Sequence, residues 1–279
     1  MHTLLLALLF AQAGRINVTD VRGRQLQLPA PPRRIVSLAP AITEICFALG
    51  LGQRIVGVTT YCDYPPEASA LPKIGDVNTS TEKVLAQKPD LVIAGATANR
   101  RAIGDLERLH LKVLVVEPDS LGAVRETVRI IGKAAAAEKQ AAQLTAMLLQ
   151  KEAEARRTAA RIRPGIRILA PVQAEPLIVV GGGTFLDDCI TLCRGENIGA
   201  SAGRGYPSLS LELVTARPPD ILLCSSRMLD RLRRHPVLGR LAAVRKGTAI
   251  DLGPEAARPG PRLAEVALKL ARALAGMDR

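Results

Sequence analysis

Short solid runs of aliphatic and β-branched residues recur along this chain, each followed by a Gly- or Pro-punctuated loop and then a helical stretch. Residues 33–40 (RRIVSLAP) read as an apolar strand ending in a proline loop, and 41–49 as a helix stopped by Gly50. Residues 54–60 (RIVGVTT) form a second strand, and its prolines mark Tyr61-Cys62-Asp63-Tyr64-Pro65-Pro66 as a loop. A helix over 80–87 stops ahead of Pro89, whose ring disfavours helix in the preceding residue. Strand 90–94 (DLVIA), helix 100–109 and strand 112–116 (KVLVV) continue the alternation. Strands that are apolar throughout and separated by helices predict a parallel sheet covered on both faces.

The pattern changes after Ser120, which can cap a helix running to 136. Residues 138–162 contain neither Gly nor Pro and predict a helix of roughly 37 Å. After Pro164-Gly165 the alternation resumes. It comprises strands 167–170 and 177–180, a Gly181-Gly182-Gly183-Thr184 loop, helix 185–193, strand 221–224, helix 237–244, strand 248–252 and a last helix 262–275.

One stretch occurs twice. Residues 80–93 read STEKVLAQKPDLVI and 210–223 read SLELVTARPPDILL, with six of fourteen positions identical. The matches include Ser80 with Ser210, Glu82 with Glu212, and Asp90 with Asp220. A single duplication over this distance indicates a repeated lobe, not a solenoid. The predicted architecture is therefore α/β: two doubly wound, Rossmann-like lobes (residues 14–136 and 164–279) joined by one long interlobe helix (137–163). A ligand cleft is expected between the lobes.

The first residues stand apart. Residues 3–11 (TLLLALLFA) are too short to cross a bilayer, and with Gln12-Ala13-Gly14 they fit a signal peptide cleaved after Ala13. A buried first strand is the other reading. Residues 1–13 as a signal peptide would place the protein in the periplasm or elsewhere outside the cytoplasm.

Composition narrows the function classes. Of 279 residues 48% are apolar, and mean hydropathy is +0.15, which suits a folded chain. The net charge is +12, densest around Arg156-Arg157, Arg161, Arg163 and Arg167 and around Arg227, Arg231, Arg233 and Arg234. No aromatics interleave with these arginines, so nucleic acid is not an expected partner; attraction to an anionic membrane surface is the physical consequence. Five cysteines without a CxxC give neither a disulfide framework nor a metal site.

A catalytic reading finds little support. GxSxG, HExxH and Walker signatures are absent, and His110 and His235 have no Ser or Asp partner in sequence. The loop from Gly181 to Thr184 could cradle a phosphate at a helix start, the basis of an enzyme or sensor alternative; close backbone approach explains the same glycines. Aromatics are scarce: beyond the signal only Phe47, Phe185, Tyr61, Tyr64 and Tyr206 remain, with no Trp. Phe47 falls mid-helix, while the other four fall in or beside strand-to-helix loops, where doubly wound sheets place ligands. As for the glutamates, Thr79-x-x-Glu82 spells a capping box and Glu212 lies in a first turn after Ser210. Either acid would stabilise its helix by about 0.3–1 kcal/mol, and duplicated lobes inherit duplicate caps.

Residues 33–94 closely resemble the first lobe of ABC-transporter solute-binding proteins of the ferric-siderophore, haem and cobalamin type. The TYCDYPPEA and LPKIG stretches look most like the cobalamin branch. In the second half GGGTFLDDCITLCRGENIG (181–199), YPSLSLELVTARPPDILL (206–223) and Arg258-Pro259-Gly260-Pro261-Arg262 also resemble the family, so the likeness covers 17–276. It implies two lobes bridged by one helix, no enzymatic activity, no resident cofactor or metal, and a monomer that delivers its ligand to a membrane permease dimer. By motif position, Glu82 and Glu212 correspond to the glutamates that dock into permease arginine pockets. The resemblance assigns ligand contact to Tyr61, Tyr206 and Arg258, and Tyr64 and Phe185 complete the loop aromatics. Asp76, Gly95 and Tyr206 stand where the cobalamin branch typically places Trp. Ala271 occupies the position whose cysteine, in relatives, pairs with the counterpart of Cys193. Cobalamin is the expected cargo. Haem with Tyr61 or Tyr206 as axial ligand, or a ferric siderophore held by Arg204, Arg258 and Arg262, is the alternative.

Overall fold

The computed structural model describes residues 15–76 and 78–277, so the segment read as a signal peptide lies outside it. The chain divides into two compact units. The first runs to Pro118 and includes Ala123–Ala146; the second takes Asp119–Gly122 and the chain from Met147 onward.

The first unit opens with an antiparallel hairpin, β1 (Ile16–Thr19) and β2 (Gln25–Leu28), which the apolar pattern does not announce because only Val18 and Leu28 are buried. Next come β3 (Ile35–Ser37), α1 (Pro40–Ala48), β4 (Ile55–Val58), α2 (Pro66–Ser69), α3 (Thr81–Ala86), β5 (Leu91–Gly95), α4 (Arg100–Arg108) and β6 (Val113–Val116). The four later strands form one parallel sheet in the order β4-β3-β5-β6. Every residue of β5 and β6 is buried, as expected for a parallel sheet covered on both faces. Val36, Val84, Val92, Leu106 and Val115 share one core cluster in this unit.

Two helices come after β6, α5 (Leu121–Ala134) and α6 (Glu138–Ala159). At 22 residues α6 is about 33 Å long, three residues shorter than the sequence pattern suggests. The division between the units falls inside it, after Ala146.

The second unit contains β7 (Ile166–Leu169), β8 (Pro171–Ala174), β9 (Leu177–Val179), α7 (Phe185–Leu192), β10 (Gly195–Asn197), α8 (Leu211–Ala216), β11 (Ile221–Leu223), α9 (Ser226–Arg234), α10 (Ala242–Lys246), β12 (Ala249–Ile250) and α11 (Leu263–Met277). Its parallel sheet has the order β10-β7-β11-β12. Numbered by appearance within each unit's sheet, both orders are 2-1-3-4, so the repeated sequence is a repeated topology. In each unit the duplicated stretch is the helix and third strand.

A matched clamp fixes that third strand at its base. Asp90 donates its N–H to the Arg34 carbonyl at 2.8 Å while its carboxylate accepts from the N–H groups of Arg33 (2.8 Å) and Arg34 (2.9 Å). Asp220 does the same with Arg167: its N–H reaches the Arg167 carbonyl at 2.8 Å, and Oδ2 accepts the Arg167 N–H at 2.9 Å.

Three expectations need correction. Residues 177–180 form a strand as expected, but outside the parallel sheet: β9 pairs antiparallel with β8. So few residues separate β9 from β7 that only a hairpin can form, because a parallel return needs a crossover of a dozen or more residues. The helix expected at 237–244 is broken into a 3-10 turn, Leu238–Arg240, and α10. The capping box is one residue out of place: Ser80, not Thr79, caps α3, accepting from the Lys83 N–H at 3.3 Å, and the Thr79 hydroxyl is buried without a partner.

Candidate functional site

In doubly wound sheets ligands collect beyond the carboxyl ends of the strands, where the chain's winding direction switches. With a 2-1-3-4 order that point lies between the first and third strands, β3 and β5 in one unit, β7 and β11 in the other.

In the first unit the crevice is occupied by the protein itself. Asn99, almost fully buried, accepts from the Gly95 N–H at 2.8 Å and donates to the Leu38 carbonyl at 3.2 Å. It thus ties the loop after β5 to the loop after β3. Around this plug stand the residues expected to meet a ligand. Gly95 ends β5. Residues 72–75 extend the sheet beside β4, with the Ile74 N–H bonded to the Val58 carbonyl at 3.0 Å, and deliver Asp76. The Asp76 carboxylate is engaged locally, accepting from the Asn78 N–H at 2.7 Å.

Tyr61 and Tyr64 lie in the loop after β4, anchored from below. The buried Cys62 thiol lies 3.2 Å from the hydroxyls of Thr43 and Thr59, and the Lys73 ammonium donates to the carbonyls of Cys62 (3.1 Å) and Ala68 (3.0 Å). Cys46, buried nearby, has its thiol pushed up to about 12 by that burial.

The corresponding place in the second unit is open. A pocket of about 670 Å³ is bounded by Ala170 and Pro171 after β7, by Leu223, Cys224 and Ser225 at the end of β11, and by Ile250 and Leu252 at β12. Phe185 and Tyr206 line it together with Val172, Val180 and Leu186, so two of the expected contact residues share one cavity. Arg258 does not line it but follows Ala257, which does. The acidic member is Asp251, whose carboxylate accepts from the Gly253 N–H at 2.9 Å. Burial pushes the Cys224 thiol up to about 11, which keeps it neutral at physiological pH. Ser225 turns its hydroxyl to cap α9, accepting from the Met228 N–H at 3.4 Å, and so does not fill the crevice as Asn99 does.

Tyr206 is held by backbone on both sides. The Gly205 N–H donates to the Gly182 carbonyl at 3.1 Å, and the Val179 N–H to the Pro207 carbonyl at 3.1 Å. The apolar surroundings of its covered part push its phenol up, although the residue is half exposed. All three tyrosines are exposed, Tyr61 at 53%, Tyr64 at 42% and Tyr206 at 54%, in a chain only 2% aromatic. Aromatic surface left open this way is characteristic of binding loops.

The glycine run has a structural cause. The N–H groups of Gly181 and Gly182 donate to the carbonyls of Gly205 and Gly203 at 2.8 Å, and that of Gly183 to Asp187 Oδ2 at 2.8 Å. A side chain at Gly181 would meet the Gly203 carbonyl at 2.5 Å. With all three donors spent and Asp187 and Asp188 in the first turn of α7, the loop does not suit a phosphate, and the enzyme or sensor alternative loses its site.

Glu82 and Glu212 occupy the same place in their units. Each is the second residue of a six-residue helix capped by a serine, Ser80 or Ser210, the latter accepting from the Leu213 N–H at 3.2 Å. Both are exposed, and neither forms an ion pair among the described residues. Cys193, at the end of α7, lies 3.4 Å from the Ala267 carbonyl on α11, and all five cysteines are free thiols.

Residues 35–256 match the family model for periplasmic binding proteins. The chain belongs to that family. A vitamin B12-binding protein of Salmonella choleraesuis is 32% identical over 251 residues, covering 88% of this chain and 91% of the Salmonella protein. Among solved structures, the periplasmic vitamin B12-binding protein of Vibrio cholerae is 28% identical with a TM-score of 0.77, over 88% of this chain and 97% of that one. The periplasmic heme-binding protein of Roseiflexus sp. RS-1 in apo form is 30% identical with a TM-score of 0.80, over 88% and 99%. The expected resemblance and the two-lobe α/β fold hold, and the chain is a solute-binding protein of the ABC-importer kind. No helix among the described residues is long and apolar enough to cross a membrane.

Proposed function

We propose that this is an exported, periplasmic or otherwise extracytoplasmic protein that captures cobalamin and passes it, without chemical change, to an ABC permease dimer. The observation that carries the cargo is the apolar pocket at the carboxyl edge of the second sheet, with Phe185 in its wall and Tyr206 on its rim. A large ligand with apolar faces matches such a lining. An anionic ferric siderophore would call for cations, and no Lys or Arg is among the residues lining the pocket. Tyr61, Tyr64, Asp76 and Gly95 are the proposed contacts from the first unit, and Arg258 a further one from the second. Glu82 and Glu212 are the proposed permease contacts, made by a monomer.

Haem is the second reading, favoured by the Roseiflexus relative and by Tyr61 or Tyr206 as axial ligand. Against it, the two propionates of haem would call for cations, and no Lys or Arg is among the residues lining the pocket.

Titrating the purified protein with cyanocobalamin, haemin and ferric siderophores, by absorbance and calorimetry, tests the cargo. Saturable binding of the corrinoid is expected, weakened about tenfold or more by Tyr206→Ala, since burying an aromatic contributes roughly 1.5–3 kcal/mol. Haemin binding with a new iron-ligand absorption band and no corrinoid binding would establish the second reading instead.

A further inference from the structure

Residues 226–246 carry seven Lys and Arg side chains against one acid, Asp230. Their net charge of +6 is half the +12 of the whole chain, concentrated in α9, α10 and the turn between them. All seven cations are exposed.

The helix explains the concentration. Leu229 and Leu232 face the core, which leaves Arg227, Arg231 and Arg234 in a row one to two turns apart on the outer side. These three line one shallow hollow of about 430 Å³ with Asp230. Asp230 is already paired, accepting from Arg233 at 3.2 Å. Arg227, Arg231, Arg234, Arg240 and Arg245 form no ion pair among the described residues. The other basic stretch is more mixed: residues 151–167 carry six cations against Glu152 and Glu154, and Lys151 pairs with Glu265 and Arg167 with Asp220. Arg156, Arg157 and Arg161 form no ion pair among the described residues either. Arginines kept unneutralised cost solubility nothing, but a field of one sign this dense is an attractor for anions.

We propose that the α9–α10 face is a docking surface for the anionic lipid headgroups of a bilayer. Spread, single-sign charge on flexible side chains suits a fluid array of phosphates, where each cation near the surface adds its own increment of attraction. A shallow hollow walled by exposed arginines, without a buried polar group, is not built to hold one free phosphate. The face also carries none of the chain's three tyrosines, which leaves it without stacking platforms for single-stranded nucleic acid. This inference is independent of the cargo: it would hold whether the pocket takes a corrinoid or haem.

Co-sedimentation with vesicles tests it. The readout is the ratio of partition onto equimolar phosphatidylcholine–phosphatidylglycerol vesicles to partition onto phosphatidylcholine alone, which cancels any apolar attachment of the chain. The ratio should be well above one, fall as salt rises, and drop roughly a hundredfold when Arg227→Ala, Arg231→Ala and Arg234→Ala are combined. Combining Arg156→Ala, Arg157→Ala and Arg161→Ala should lower it less, because Arg157 and Arg161 share their hollow with Glu154 and the stretch around them is less one-sided in charge. A ratio near one, equal loss in both triple variants, or displacement by millimolar inorganic phosphate at constant ionic strength would each overturn the proposal. So would attachment only to vesicles carrying a reconstituted permease, which would make the partner a protein. Retained ligand affinity and far-UV circular dichroism in both variants keep the comparison on folded protein.

Discussion

At the scale of single residues, Asn99 accounts for the difference between two otherwise matching sheets. Its side chain satisfies a buried N–H on one loop and a buried carbonyl on another, across 61 residues of sequence. Asn99→Ala leaves both groups unpaired in a place water does not reach, and should destabilise the fold by about 1–3 kcal/mol in urea unfolding. An unchanged midpoint would mean that the two loops repack without it. Nothing local distinguishes this asparagine in the sequence. It stands at a helix start, where Asn ordinarily caps, and yet it makes no cap to its own helix. Tyr206 was legible for the opposite reason: an aromatic is conspicuous in a chain with so few, and beside a glycine and a proline it reads as a loop residue.

At the scale of elements, the two Arg–Asp clamps show what sequence repetition preserves. The Arg167 side chain donates to Asp220 at 2.9 Å, and this hydrogen bond holds the Asp220 carboxyl below its usual range. A depressed carboxylate contributes stability above its unfolded value near 3.9, and the contribution is lost as pH falls through the folded value. Asp220→Asn should therefore lower stability at neutral pH by about 1 kcal/mol, the scale of a partly exposed pair, and flatten the acid limb of a urea-midpoint profile. A mutant profile parallel to the wild type down to the acid limit would show that Asp220 titrates alike in both states. The strands flanking these clamps were legible because burial on both faces forces solid apolar runs. The missed elements lack that signal: β1 and β2 bury one side chain each, and β10 is the three-residue edge Gly195–Asn197 without a β-branched residue. The run at 177–180 carried the right residues for a strand, but its partner depends on loop length, which apolar pattern alone does not weigh.

At the scale of the whole molecule, duplication puts one exposed, unpaired glutamate at the same structural position in each unit. Helix capping explains a serine at Ser80 and Ser210, and an acid in the first turn gains a few tenths of a kcal/mol from the helix dipole. It does not explain why neither carboxylate is paired in a chain with a net charge of +12, where arginine partners are abundant. A carboxylate left free on each unit is suited to meet cations on a partner, with charge-assisted contacts shared between two subunits. Glu82→Ala and Glu212→Ala together should abolish ligand uptake by cells carrying the cognate permease, and each alone should reduce it. Affinity of the purified double variant for its ligand should stay within about twofold, because both side chains lie outside the pocket and the loss of two exposed dipole contacts is small. Thermal unfolding should move by only a few degrees for the same reason. Uptake at the parental rate would return both residues to capping alone, and a matching fall in affinity would place their role in ligand capture and not in delivery.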